Sequence, residues 1–272
     1  MNRKIRAIAL SVFVTAALFS CKPLEQDTYY QTFYRIATVN YRLGTAYLTL
    51  DCTTDAYKPR NFKDTVDMQS FGLSAGDKII AEFKIEAVGS MDNAVLTLES
   101  AKKISIQDIA TEQPSDTLNF YYQMTKFGLT DVVYPDIWAV GHVVTIAPTY
   151  YVPSSSSKAE FHLYPLRVQG DTLIMRLYSD IPEADNSLRP YTQSLLCYDI
   201  SSLRQQVSNP IEQERRDTIL ARLDRLEKDS ITVHIVTPDT LRAKNSKNPA
   251  NNYKYEQWVP NLPSTTTVRY DF

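Results

Sequence analysis

The sequence predicts a mainly β protein of two successive bodies, a small five-stranded barrel and then a β-sandwich interrupted by one helix. Three observations carry this. Seven glycines against eighteen tyrosines, in a chain rich in Thr, Val and Ile, favour pleated half-buried strands over loops that cradle phosphate. Ile79, Ala81, Phe83, Ile85 and Ala87 alternate with Ile80, Glu82, Lys84 and Glu86, the period of a strand with one buried face. One stretch near Asn209 carries the start signals of a helix instead.

The first twenty-one residues precede this architecture. Arg3, Lys4 and Arg6 lead into an apolar run, residues 7–18, that ends at Phe19, Ser20 and Cys21. This resembles a bacterial lipoprotein signal, with cleavage after residue 20 and Cys21 as the lipidated first residue of the mature chain. The apolar run falls short of the roughly 20 residues needed to span hydrocarbon, so it is not read as a transmembrane anchor. Phe19 is larger than the residue usually found there in such signals. Lys22 stands where an inner-membrane lipoprotein typically carries Asp, which favours the outer membrane. Acyl chains contributing about 0.8 kcal/mol per buried methylene make such attachment durable.

The chain of 272 residues carries 29 basic and 31 acidic side chains; without Arg3, Lys4 and Arg6 of the leader, 26 face 31, a net charge of −5. That balance disfavours nucleic acid, whose binding rests on neutralised phosphates. With Cys21 lipidated, Cys52 and Cys197 remain, each inside an apolar run, and are read as buried free thiols, a disulfide being the alternative.

Residues 21–32 read as a tether, followed by a barrel over 33–110. Residues 33–41 and 45–52 form a hairpin in which Gly44 supplies the positive φ of a tight turn. Residues 65–71 suggest a third strand, 79–87 a fourth, and Leu96, Leu98, Ile104 and Ile106 continue the alternation, which suits a five-stranded Greek-key barrel. The polar, Pro-containing residues 110–116 read as a linker. Beyond them, 117–272 offers strands at 138–152, 159–168, 171–179, 194–200, 230–237 and 265–272, enough for an Ig-like sandwich. The inserted helix, about 210–228, has Asn209 as N-cap, Pro210 at its first position, and Ile219, Leu220, Leu223 and Leu226 on one face. Glu212 with Arg216 and Asp224 with Lys228 are spaced as ion pairs on its outer face. Residues 244–252 read as a polar loop before Trp258.

No chemistry is nominated by these residues. His142, His162 and His234 lack the short spacing of a zinc site, and Glu160 beside His162 reads as a surface contact. Ser154 to Ser157 lack a glycine-flanked elbow. No catalytic, metal or cofactor residue is therefore assigned. Tyr29, Tyr30, Tyr34, Tyr150, Tyr151 and the two tryptophans offer rings that would stack on a sugar or peptide, or simply pack within strands. The C-terminal residues 268–272 have the aromatic ending of an outer-membrane barrel strand, but the leader and the capped helix argue against that reading.

The order of short elements, Gly76-Asp77-Lys78-Ile79-Ile80, then Trp138, Gly141 and His142, His162-Leu163, residues 173–180 and Tyr198-Asp199-Ile200-Ser201-Ser202-Leu203, resembles that of the NigD-like lipoproteins. The resemblance covers essentially the whole mature chain and implies an N-terminal OB-fold domain followed by a β-sandwich domain. It implies no activity and no site residues. The expectation is a non-catalytic outer-membrane lipoprotein, held by lipid on Cys21, that binds an unidentified envelope protein or glycan. A fimbrial subunit and an envelope hydrolase are the alternatives.

Overall fold

The structure is a computed structural model. It describes residues 28–53, 56–88, 94–114, 122–151, 159–180, 191–236 and 264–270. The leader, Cys21, the serine run, residues 244–252 and Trp258 lie outside the described residues.

The described chain is mainly β. Strands β1 (Thr28–Arg42), β2 (Thr45–Leu50), β3 (Ala56–Tyr57), β4 (Lys78–Val88) and β5 (Val95–Ile104) form one sheet in the order β3-β2-β1-β4-β5. The expected first hairpin is present, with Leu43 and Gly44 at φ 49° and 79° between paired Arg42 and Thr45. Strand β1 begins at Thr28, ahead of the expected Phe33, because β4 is long enough to pair Thr28 with Val88. Residues 65–71, expected as a strand, instead contain helix α1 (Thr65–Ser70). Asp64 caps it, accepting from the backbone N–H groups of Val66 and Asp67, and Gly72 follows at φ 67°. Local capping outweighed the β-leaning composition, and Met68 alone is buried.

The sheet is not a closed barrel: β3 and β5 do not pair as a ladder. The seam is stitched just past β3, where the Arg60 N–H donates to the Leu96 carbonyl at 2.7 Å. Asn61 both donates to and accepts from the Leu98 backbone, at 2.8 and 2.9 Å. Inside lie Phe33, Ala37, Leu48, Phe62, Ile79 and Phe83.

The second body has strands β6 (Ile106–Asp108), β7 (Tyr122–Met124), β8 (Phe127–Leu129), β9 (Val132–Tyr134), β10 (Ile137–Val140), β11 (Val143–Ile146), β12 (Pro148–Tyr151), β13 (Glu160–Gln169), β14 (Thr172–Asp180), β15 (Tyr191–Gln193), β16 (Leu196–Asp199), β17 (Ser230–Val236) and β18 (Ser264–Arg269). The expected single strand at 138–152 is three strands, broken first by a turn with Gly141 at φ 62°. Sheets β10-β11-β16-β6 and β13-β14-β17-β18 share a core that includes Val144, Ile146, Tyr198, Leu163, Met175 and Val233. Both sheets contain a parallel pair, β16 with β6 and β14 with β17, unlike an all-antiparallel immunoglobulin sandwich. Parallel neighbours need a long crossover, and the connection from β14 to β17 contains helix α2 (Pro210–Asp224). Residues 106–110, expected at the end of the barrel, join this second body: β6 pairs with β16, and the Ala110 N–H donates to the Leu163 carbonyl.

Helix α2 starts as expected, with the Asn209 side chain accepting from the Ile211 N–H, and it buries Ile219 and Leu223. Its expected outer-face ion pairs do not form. Arg216 points inward, 2 % exposed, and donates to the carbonyls of Ser202 and Ala110 at 3.1 and 2.9 Å. Glu212 accepts instead from the Tyr164 hydroxyl at 2.6 Å. Asp224 pairs with Arg204, and Lys228 with Asp171. Carbonyls left open where β6 and the 3-10 turn Ile200–Arg204 end were stronger partners for Arg216 than an exposed carboxylate one turn away.

Candidate functional site

The outer face of β1 and β4 explains how the two bodies meet. Ile36 and Ile80 face each other across the ladder on the side opposite the barrel core. They pack against Tyr134, Trp138 and Ala147 of the second body, and Tyr134 stacks on Trp138 with centroids 5.3 Å apart. The Tyr134 hydroxyl accepts from the Ile36 N–H at 2.9 Å.

In this apolar layer sits a buried charge pair. Lys78 Nζ lies 2.6 Å from Asp51 Oδ2, with both side chains at most 1 % exposed, and the Trp138 indole N–H donates to the same oxygen at 2.6 Å. Burial without such a partner would cost either ion several kcal/mol, so each is tied to the other. Asp51 is also held through its backbone, whose N–H donates to the Ile36 carbonyl. Its second oxygen, Oδ1, is buried without a partner among the described residues. Nearer the surface, Arg35 makes a bidentate pair with Asp131 at 2.7 and 2.9 Å. The guanidinium holds the Asp131 carboxyl below its ordinary pKa.

The thiols among the described residues are those of Cys52 and Cys197. Both are free thiols, but Cys52 is exposed, contrary to the expected burial, at φ 60° in the turn after β2; Cys197 is buried. Burial pushes both thiols up from their ordinary pKa, with Asp51 adding to the rise, so the thiolate is disfavoured. His142 Nε2 is 3.7 Å from Asp199, away from this cluster's ion pair. No group of three His, Cys, Asp or Glu side chains that could hold a metal occurs among the described residues. No helix among them is long and apolar enough to cross a membrane.

A concave feature lies at the barrel seam. Phe33, Tyr57, Ile85 and Leu96 form the apolar wall of an open groove of about 360 Å³, with Gln31, Arg35 and Asp131 at its polar side. Phe33 stacks on Phe83 at 5.2 Å, and the Arg35 guanidinium lies 4.9 Å from the Phe33 ring. Alternation puts residues 31, 33 and 35 of β1 on one face, and the gap between β3 and β5 leaves that face open.

Of the aromatic residues singled out from sequence, Tyr29 and Tyr30 present rings to solvent, at 52 % and 58 % exposure. Tyr34 donates to Glu82, Tyr150 is buried in the sandwich core, and Trp138 belongs to the junction. The groove and the Asp51–Lys78 pair were not found from sequence. Ile36 and Ile80, apolar residues on otherwise polar strand faces, were the available sign that this face is covered.

No family model and no curated protein match the chain. Solved structures do. A protein of Bacteroides fragilis, described provisionally as a lipoprotein, is 14 % identical, with a TM-score of 0.48 over 88 % of this chain and 98 % of its own. A protein of Parabacteroides distasonis, described provisionally as toxin-related, is 12 % identical, with a TM-score of 0.42 over 76 % of this chain and 88 % of its own. A NigD-like immunity protein of Bacteroides caccae is 12 % identical, with a TM-score of 0.39 over 75 % of this chain and 84 % of its own. The last carries the family description that the sequence motifs suggested.

Proposed function

We propose that this chain is a lipid-anchored protein of the bacterial outer membrane that binds an envelope protein or glycan without transforming it. The anchor rests on the basic start, short apolar run and Cys21 of the leader. The binding reading rests on the groove at the barrel seam, where aromatic and aliphatic walls meet the Arg35–Asp131 pair. Its volume suits one or two sugar rings or a single aromatic side chain. The buried charges, by contrast, are engaged in joining the two bodies and do not face the groove.

Two experiments test this. Cells expressing Cys21→Ser are fractionated and labelled with palmitate; the variant is expected to lose label and leave the membrane fraction, or to stall with its leader uncut. Processing at residue 20 and membrane retention at wild-type yield would overturn the anchor. For binding, the purified protein is titrated with envelope glycan fragments and crosslinked to neighbours on intact cells, beside Tyr57→Ala. Saturable association without turnover, weakened about tenfold in the variant, supports the groove. Saturable hydrolysis abolished by one carboxylate or serine substitution would overturn the non-catalytic reading.

A further inference from the structure

Strand β1 begins seven residues after Cys21. Seven residues span at most about 25 Å when fully extended, so a lipid on Cys21 keeps the Thr28 end of β1 within that distance of the bilayer surface. At this end Tyr29 and Tyr30 expose half or more of their surface. The strand then runs fourteen residues to Arg42, up to about 46 Å at strand rise, and ends in the hairpin tip that carries Leu43, 93 % exposed.

From the tether length and the exposed rings together, we infer that the Tyr29–Tyr30 end of the barrel rests on the lipid surface, while the Leu43 tip points away from it. The inference rests on the lipid anchor proposed above. Tyrosine suits this position because its ring enters the interfacial layer while its hydroxyl stays among polar headgroups. The local charges agree. Lys84 lies over the Tyr30 ring at 4.6 Å and pairs with Glu86 at 2.6 Å, so this cluster is close to neutral and contact does not depend on anionic lipid. The tether also makes a weak surface affinity sufficient, since the second contact is intramolecular once the lipid is inserted.

The test uses the lipidated full chain in vesicles of phosphatidylethanolamine and phosphatidylglycerol, with Tyr30→Trp, Tyr29→Trp and Leu43→Trp as single variants. Each exposed site tolerates the larger ring, and the parent's own tryptophan signal is subtracted. Phospholipids brominated high on the acyl chain are expected to reduce the added fluorescence about twofold at positions 29 and 30 and to leave position 43 unchanged. High salt is expected to leave this pattern intact. Equal quenching at 30 and 43, or none at 30 while the protein still floats with the vesicles, would overturn the orientation and leave the anchor standing. Failure of the parent to float would remove the anchor and the orientation with it.

Discussion

Two cations are buried among the described residues, and they are satisfied in different ways. Lys78, at the junction of the two bodies, meets a carboxylate, with Trp138 donating to the same Asp51 oxygen. Arg216, on the inner face of α2, pairs with no carboxylate among the described residues; its guanidinium reaches backbone carbonyls of Ser202, Gln205 and Ala110. An ammonium is a compact point charge that one carboxylate can answer, whereas a planar guanidinium spreads its charge over several donors and can satisfy carbonyls from separate segments. The junction is thus an ion pair set in an apolar layer, and the helix seat is a hydrogen-bond hub. They should fail differently.

The largest effect is expected at the junction. Asp51→Ala leaves Lys78 buried without its counter-ion and should cost about 3–5 kcal/mol in denaturant unfolding. Pairing Asp51→Leu with Lys78→Met should recover most of that, because replacing both charges removes two desolvation penalties along with one attraction. A loss below about 1 kcal/mol for Asp51→Ala would show that water reaches the pair and that the contrast with Arg216 is empty.

At the helix seat, Arg216→Met strands the carbonyls that its guanidinium satisfies, with an expected cost of about 1–3 kcal/mol. Arg216→Lys should restore only part of this, since carbonyls at both the Ser202–Gln205 turn and Ala110 cannot be met by one ammonium at the same reach. Full rescue by lysine would make Arg216 a simple charge site like Lys78 and erase the distinction. Thermal unfolding of the two variants side by side decides it.

The smallest effect belongs to the exposed rim of the junction. Asp131 is 40 % exposed on its side chain, and Asp131→Asn should cost about 0.2–1 kcal/mol. Its folded pKa is depressed by Arg35. The contribution is therefore complete above the unfolded carboxyl pKa of about 3.9 and is lost as pH falls through the lower folded value. Stability measured from neutral to acid pH should fall less steeply on the acid side for Asp131→Asn than for the parent. An identical acid-side slope would place the pair outside the forces that join the two bodies.

How much of this was legible beforehand differs by element. Helix α2 was readable because Asn209, Pro210 and the Ile219–Leu223 spacing are local signals that agree. The same reading put Arg216 on the wrong face, since an i,i+4 carboxylate is a local partner and the competing carbonyls come from distant segments. Helix α1 was missed because six residues with one buried side chain leave almost no periodicity to detect. The groove was invisible for a topological reason. Phe33 and Leu96 lie in runs that read as ordinary strands, and with Tyr57 they become a wall only where β3 fails to pair with β5.

By itself the sequence determined the β-rich composition, the alternation of β4 and the capped start of α2. Each is written in consecutive residues, where strand period, helix period and capping chemistry act over a few positions. Only the tertiary structure decided that Asp51, Lys78 and Trp138 meet, that Arg216 turns inward, and that Tyr29 and Tyr30 stay exposed on the protein surface. A buried charge is tolerated only where its partner arrives from elsewhere in the chain, and no local pattern records that arrival.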